Sequence, residues 1–177
     1  MSLLPMVDRF VDVATPRGNS GKVNLAMSMQ DAPNIVSEFN RLWELGDLDA
    51  AMDLVADECI LTVHVSEDLV EHAGQWIGAV QIRSALFTAR RHYDYILYRP
   101  VIMGTDGSTV RVRVEFIGTH RPSREPINMT FRQVFVVEDG KISRCNEYHD
   151  RAKLEAYLRL INTYPLPPAD PDEFSVR

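Results

Sequence analysis

The chain has 177 residues, 45% hydrophobic and 25% charged, the balance of one globular domain with enough apolar residues for a real core. Its formal net charge of −6 excludes a surface built to displace counterions from nucleic acid and weighs against anionic membranes. Cys59 and Cys145 lack disulfide or metal-ligand spacing and no apolar run is long enough to span a bilayer, so a reduced, cytoplasmic setting is expected.

The opening MSLLPMVDRF lacks a basic stretch before an apolar block, so no signal peptide is expected, and Met27 and Met29 are alternative starts. Residues 1–32 read as an N-terminal extension, with an amphipathic turn or two around Leu3 to Val11 and a loop at 15–22 (TPRGNSGK). The domain is expected over 33–164. Ile35, Val36, Phe39, Leu42 and Trp43 follow helical spacing from Pro33, and Gly46 stops the helix. Asp47 caps a second helix carrying Leu48, Ala51, Met52 and Val55. Residues 59–65 (CILTVHV) are strand-like, 67–78 connect, and 79–92 form a third helix. Strands follow at 93–103, 109–119, 127–137 and 141–149, with turns at Asp106-Gly107 and Asp139-Gly140. A short helix at 151–160 precedes an extended, proline-rich tail over 165–177. Helices first and an antiparallel meander later predict an α+β domain, its helices covering one face of a bent sheet with a cavity at the open end.

Taking Asp139-Gly140 as a two-residue turn sets Glu138 opposite Lys141, Val134 opposite Cys145 and Arg132 opposite Glu147. On that register Arg132, Val134, Cys145, Glu147 and His149 share one face, and Phe131, Phe135, Val137, Ile142 and Tyr148 share the other. Two readings remain open. Composition makes the second face core and Arg132–Glu147 a surface ion pair worth ~0–1 kcal/mol. If the first face lines a pocket instead, Glu147 is a general base whose strength Arg132 sets. Residues 109–119 pose the same choice. Arg111, Arg113, Glu115 and Ile117 alternate with Val110, Val112, Val114 and Phe116, and the charged row faces solvent unless both sheet faces are covered.

Three local cues run in order along the chain: Gly46-Asp47-Leu48-Asp49 between helices, Ala56-Asp57-Glu58 entering the first strand, and VVEDGKISRCNEYHD closing the meander. With them, residues 33–160 resemble the nuclear transport factor two-like superfamily, in particular its SnoaL-like branch. The resemblance implies a cone-shaped, curved antiparallel sheet wrapped around N-terminal helices, and an inward Glu147. Limonene epoxide hydrolases of that superfamily carry Arg-x-Asp on a middle strand and an Asp on the last. Arg113-Val114-Glu115 and Glu147 fall at those places, with Glu for Asp twice, but Leu61 and Val63 stand where that family holds its water. The phenazine-biosynthesis A/B proteins have an acid/base Glu matching Glu147, while their helical His and Ser match Ala85 and Ala89. Ketosteroid isomerases fit worse, with Val63, Phe39 and Arg132 at their base, tyrosine and aspartate positions.

What the resemblance implies is a general acid–base enzyme (an isomerase, cyclase or hydrolase) needing no cofactor and acting on a small apolar organic molecule. Glu147 would move the proton, Arg113 and Glu115 would position it or polarise the substrate, and Arg132 would set its charge. His64, Cys145 and His149 complete the polar candidates; Phe39 and Trp43 form an apolar wall and Trp76 a lid. A non-catalytic ligand-binding or interaction module of the same fold is the alternative. No phosphate loop, dinucleotide fingerprint, nucleophile elbow or zinc motif occurs, so no cofactor or metal is expected. A homodimer is expected through a row such as Val110, Val112 and Val114 on the outer sheet face.

Overall fold

The computed structural model describes residues 20–65 and 72–161, with side chains from residue 31. The amphipathic turns expected near the N-terminus and the proline-rich tail lie outside the described residues. Helix α1 (Ser20–Leu45) begins well before the expected start at Pro33 and absorbs the last residues of the expected loop at 15–22. Pro33 sits inside it and forgoes one backbone donor. Ala32, Val36, Phe39, Leu42 and Trp43 form the buried stripe that holds the helix to the sheet. Its end is a Schellman closure: Gly46 N–H bonds Trp43 O at 3.1 Å and Asp47 N–H bonds Leu42 O at 3.0 Å. Gly46 has φ +80°, and a Cβ there would also press on the Arg90 guanidinium at 3.2 Å.

Asp47 caps α2 (Leu48–Asp53) as expected, its Oδ1 accepting from Ala50 N at 3.1 Å. Val55, assigned above to that helix, instead opens β1 (Val55–His64). Part of the expected connection is a short strand, β2 (Gly74–Ile77). Helix α3 (Ala79–His92) then leads into β3 (Tyr93–Asp106), β4 (Thr109–His120), β5 (Pro126–Glu138) and β6 (Lys141–Tyr148), and α4 (Arg151–Ile161) closes the described chain.

The six strands form one sheet in the order β2-β1-β6-β5-β4-β3. All neighbours are antiparallel except β1 and β6, which run parallel. Helices α1 and α3 pack against the concave face, and the core fills the space between.

Two bulges decide what that face presents. The β5–β6 hairpin turns at Asp139 (φ 49°) and Gly140 (φ 77°), with Glu138 opposite Lys141 as expected. Val137 pairs with Ile142, but Val136 pairs with Arg144, so Ser143 is an extra residue. Beyond it the register differs by one from the expected one: Phe135 faces Cys145, Gln133 faces Glu147 and Arg132 faces Tyr148. A slip of one exchanges the two faces. Glu147 and Cys145 therefore point inward with Phe131 and Phe135, while Arg132 and Tyr148 point out. In β3 the ladder jumps from Tyr95↔Gly118 to Leu97↔Ile117, leaving Ile96 outside at 68% exposure. Tyr95 and Tyr98, three apart, thereby both face the interior.

Candidate active site

The concave side encloses a cavity of about 100 Å³, partly open to solvent. Phe39 and Trp43 of α1, Ala85 and Ala89 of α3, and Tyr93, Tyr95 and Tyr98 of β3 form much of its wall. Phe131, Gln133, Glu147, His149 and His72 supply the opposite side, and Leu154 of α4 borders it. The lining is apolar and aromatic apart from a small polar group around Glu147.

Glu147 lies in the middle of that group. Its Oε1 accepts from His149 Nε2 at 2.7 Å and its Oε2 accepts from Gln133 Nε2 at 2.9 Å. The Glu147 and His149 side chains are 17% and 9% exposed. Burial is the largest influence on the carboxyl and pushes its pKa up. The His149 hydrogen bond and charge, the Gln133 hydrogen bond and nearby His72 outweigh it, and the pKa ends below the usual carboxylate range. At neutral pH Glu147 is therefore an anion, and both of its neighbours must act as donors toward it. Among the described residues, His149 Nδ1 and Gln133 Oε1 then have no hydrogen-bond partner. The His149 ring is further held by stacking on Phe131, centroids 4.9 Å apart.

Around this pair the remaining groups stay neutral. Burial, with the charge of Glu147 partly opposing it, pushes His72 down to about 4. Burial and the charge of Glu147 push the Tyr98 hydroxyl well up, and it donates to Asn40 Oδ1 at 2.8 Å. Among the described residues no three metal-ligating side chains converge, and no helix is long and apolar enough to cross a membrane.

The expected site residues divide. The fold brings Glu147, His149, Phe39 and Trp43 together at the cavity. Arg113 and Glu115 do not join them. They lie on the outer face of β4, where Glu115 pairs with Arg99 of the edge strand. The reason is the apolar row: Val110, Val112 and Val114, assigned above to a dimer surface, are at most 2% exposed and form the floor under the helices. Arg132 is exposed on the same outer face, so Gln133, not an arginine, accompanies the carboxylate. Cys145 is inward and buried; burial and nearby Glu147 hold its thiol well up, leaving it a packing residue. His64 points outward, stacking on Tyr148 and bonding Asn146 Oδ1 at 3.1 Å. Trp76 is not a lid. Its Nε1 donates to His72 O at 3.1 Å and so fixes the segment that presents His72 to the cavity.

Sequence reasoning passed over Gln133, His72, Tyr95 and Tyr98. One signal was available for the first: Gln133 breaks the alternation Phe131, Phe135, Val137, and a polar residue in a core row calls for a partner.

Residues 36–145 match the model of the SnoaL-like domain. The chain belongs to the SnoaL-like family. Its solved structural neighbours agree. A nuclear transport factor two-like protein from Burkholderia xenovorans superposes with a TM-score of 0.64 at 20% identity, covering 73% of this chain and 97% of that one. A protein from Xanthomonas campestris, provisionally assigned as a polyketide cyclase, gives 0.60 at 20% identity, covering 72% and 98%. TerC, crystallised with polyporic acid, gives 0.64 at 12% identity, covering 72% and 98%. At these identities the neighbours establish the fold alone. No curated protein sequence matches the chain.

Proposed function

We propose that this SnoaL-like protein is an acid–base enzyme that isomerises or cyclises a small ring compound, with His149 moving the proton and Glu147 orienting and charging it. One observation carries the reading: a buried imidazole, fixed by an ionised carboxylate at 2.7 Å, whose other nitrogen is unpartnered beside an apolar cavity. When the ring is neutral with Nε2–H bound to Glu147, its lone pair lies on Nδ1. Nδ1 would take a proton from an acidic C–H or O–H of the substrate, and the electron pair would remain on the substrate as an enolate. The imidazolium would be stabilised by the carboxylate and would return the proton to a different atom, so the net change is an isomerisation or closes a ring. Orientation by a carboxylate and proton transfer by an imidazole together supply roughly 10²–10⁴-fold in rate. An epoxide-hydrolase arrangement is not supported, because Arg113 and Glu115 face away from the cavity.

The test is deuterium exchange. One-ring 1,3-diketones and hydroxy ketones are incubated with the protein in heavy water and their ring C–H signals followed by NMR. The reading predicts exchange above buffer, lost in His149→Gln. Binding without exchange in any probe would favour the second reading, a ligand-binding module. That alternative has its own support: both carboxylate oxygens already hold hydrogen bonds, as in a structural network.

A further inference from the structure

The charge on Glu147 dictates the polarity of its two hydrogen-bonded neighbours at the cavity. An anion at 2.9 Å from the Gln133 amide draws its NH2 end, because the flipped amide would set two oxygens against each other. The same anion draws N–H of His149 at 2.7 Å. Each neighbour commits an N–H to the carboxylate and leaves an acceptor uncommitted: Gln133 Oε1 and, in the neutral ring, His149 Nδ1. Both atoms lack a hydrogen-bond partner among the described residues, as does Nδ1 of His72, which also lines the cavity. Gln133 is 6% exposed and the His149 side chain 9%, so bulk water does not compensate them. A buried acceptor left unpaired is costly and calls for a donor.

The walls select shape. Tyr95, Tyr98, Phe131 and Trp43 surround a space of about 100 Å³. An engineered apolar cavity of roughly 150 Å³ takes up benzene. This cavity is about two thirds of that volume, so it takes no more than one six-membered ring, and only with part of the ligand in the opening.

We propose that the ligand of this cavity is a single-ring molecule carrying two hydroxyl donors, phenolic or enolic, one directed to His149 Nδ1 and one to Gln133 Oε1. This rests on reading the cavity as the working site, and it names the substrate class. A ring bearing only ether or non-enolisable carbonyl oxygens is disfavoured, since it would set acceptor against acceptor.

The experiment is a set of equilibrium titrations of the wild-type protein, read by ligand-observed NMR, with resorcinol, phenol and 1,3-dimethoxybenzene. The three share the ring and differ in the number of donors. Resorcinol should bind tightest and phenol next, with at least a tenfold gap between resorcinol and the dimethoxy compound. In Gln133→Leu the resorcinol preference should shrink severalfold while dimethoxybenzene binding holds or improves. Equal or tighter binding of the dimethoxy compound, or no binding of any ring, overturns the proposal, and the wild-type series alone decides this if the variant fails to fold. The measurement does not depend on turnover. Resorcinol binding without exchange in any diketone would refute the catalytic reading and leave this one standing. Exchange without a hydroxyl preference would do the reverse.

Discussion

Replacing Glu147 by Gln tests the central arrangement at its most specific point. The variant keeps the side chain's shape, and its amide has one acceptor and one donor end. With the Gln133 amide kept in its present orientation, its Nε2 at 2.9 Å offers only a donor, and the new amide oxygen faces it. The NH2 end then faces His149 Nε2, and the ring can accept only by moving its proton to Nδ1. Every hydrogen bond is preserved. Both bonds lose their charge assistance, which is offset by relief from burying a charge, and the net change in stability should stay within about 1 kcal/mol. The base, however, disappears, because Nδ1 now carries a proton. Exchange activity should fall by roughly 10²–10⁴-fold while the fold and the melting point hold. Glu147→Leu gives the contrast. It leaves two buried donors unpaired, at about 1–3 kcal/mol each, and should lower stability by several kcal/mol before any apolar gain. The assay pairs urea unfolding with long-range nitrogen–proton NMR of the histidine rings, which reports the tautomer directly. An unchanged His149 tautomer in the Gln variant, or equal destabilisation in both variants, would refute the reasoning.

Acid stability should turn on the buried histidines. His72 titrates near 4 when folded against an ordinary value of 6.5, so the unfolded chain takes up the proton first as pH falls. Stability is therefore lost between about pH 6.5 and 4, by up to roughly 3 kcal/mol, and His72→Gln should flatten that limb in urea melts at pH 7 and pH 5. The Tyr98 hydroxyl bonds buried Asn40 at 2.8 Å, so Tyr98→Phe should cost about 1–3 kcal/mol in chemical denaturation. An unchanged midpoint would mean that Asn40 finds another donor. Arg113→Ala with Glu115→Ala should leave ligand titrations and exchange unchanged and move stability by no more than about 0.5 kcal/mol, the mark of an outer-face pair. Loss of binding in that double variant would return both residues to the site.

Helix and strand types were legible because their signals are local. Asp47 announces a cap, Gly46 a stop, and Asp139-Gly140 a tight turn, and all three hold. The orientation of the site was not legible from alternation, because alternation assumes an unbroken ladder. Ser143 and Ile96 each interrupt one, and nothing in a serine or an isoleucine marks a bulge. From that single slip come the inward Glu147 beside Gln133 and the outward Arg132. The resemblance to the SnoaL-like branch anticipated the inward carboxylate where the residue pattern left it open. It also led Arg113 and Glu115 astray, because a family's positions do not carry a family's contacts when the neighbouring row is Val110, Val112 and Val114 and must stay dry. The parallel seam between β1 and β6 was invisible for another reason: it joins segments some eighty residues apart with no turn between them to announce it.

That seam has a consequence for motion. Strand β6 is bordered by β1 on one side and β5 on the other, so Glu147 sits on a strand clamped along both edges. Its ladder ends at Tyr148. The imidazole lies one residue past the last rung, ahead of α4, where the backbone is free of cross-strand bonds. Amide protons around Cys145 and Glu147 should be among the slowest in the molecule to exchange, and those at His149 and Asp150 distinctly faster. The anchor is thus stationary, and the imidazole it holds, with Nε2 on the carboxylate and its face on Phe131, is carried by a segment that can adjust to a substrate without disturbing the sheet.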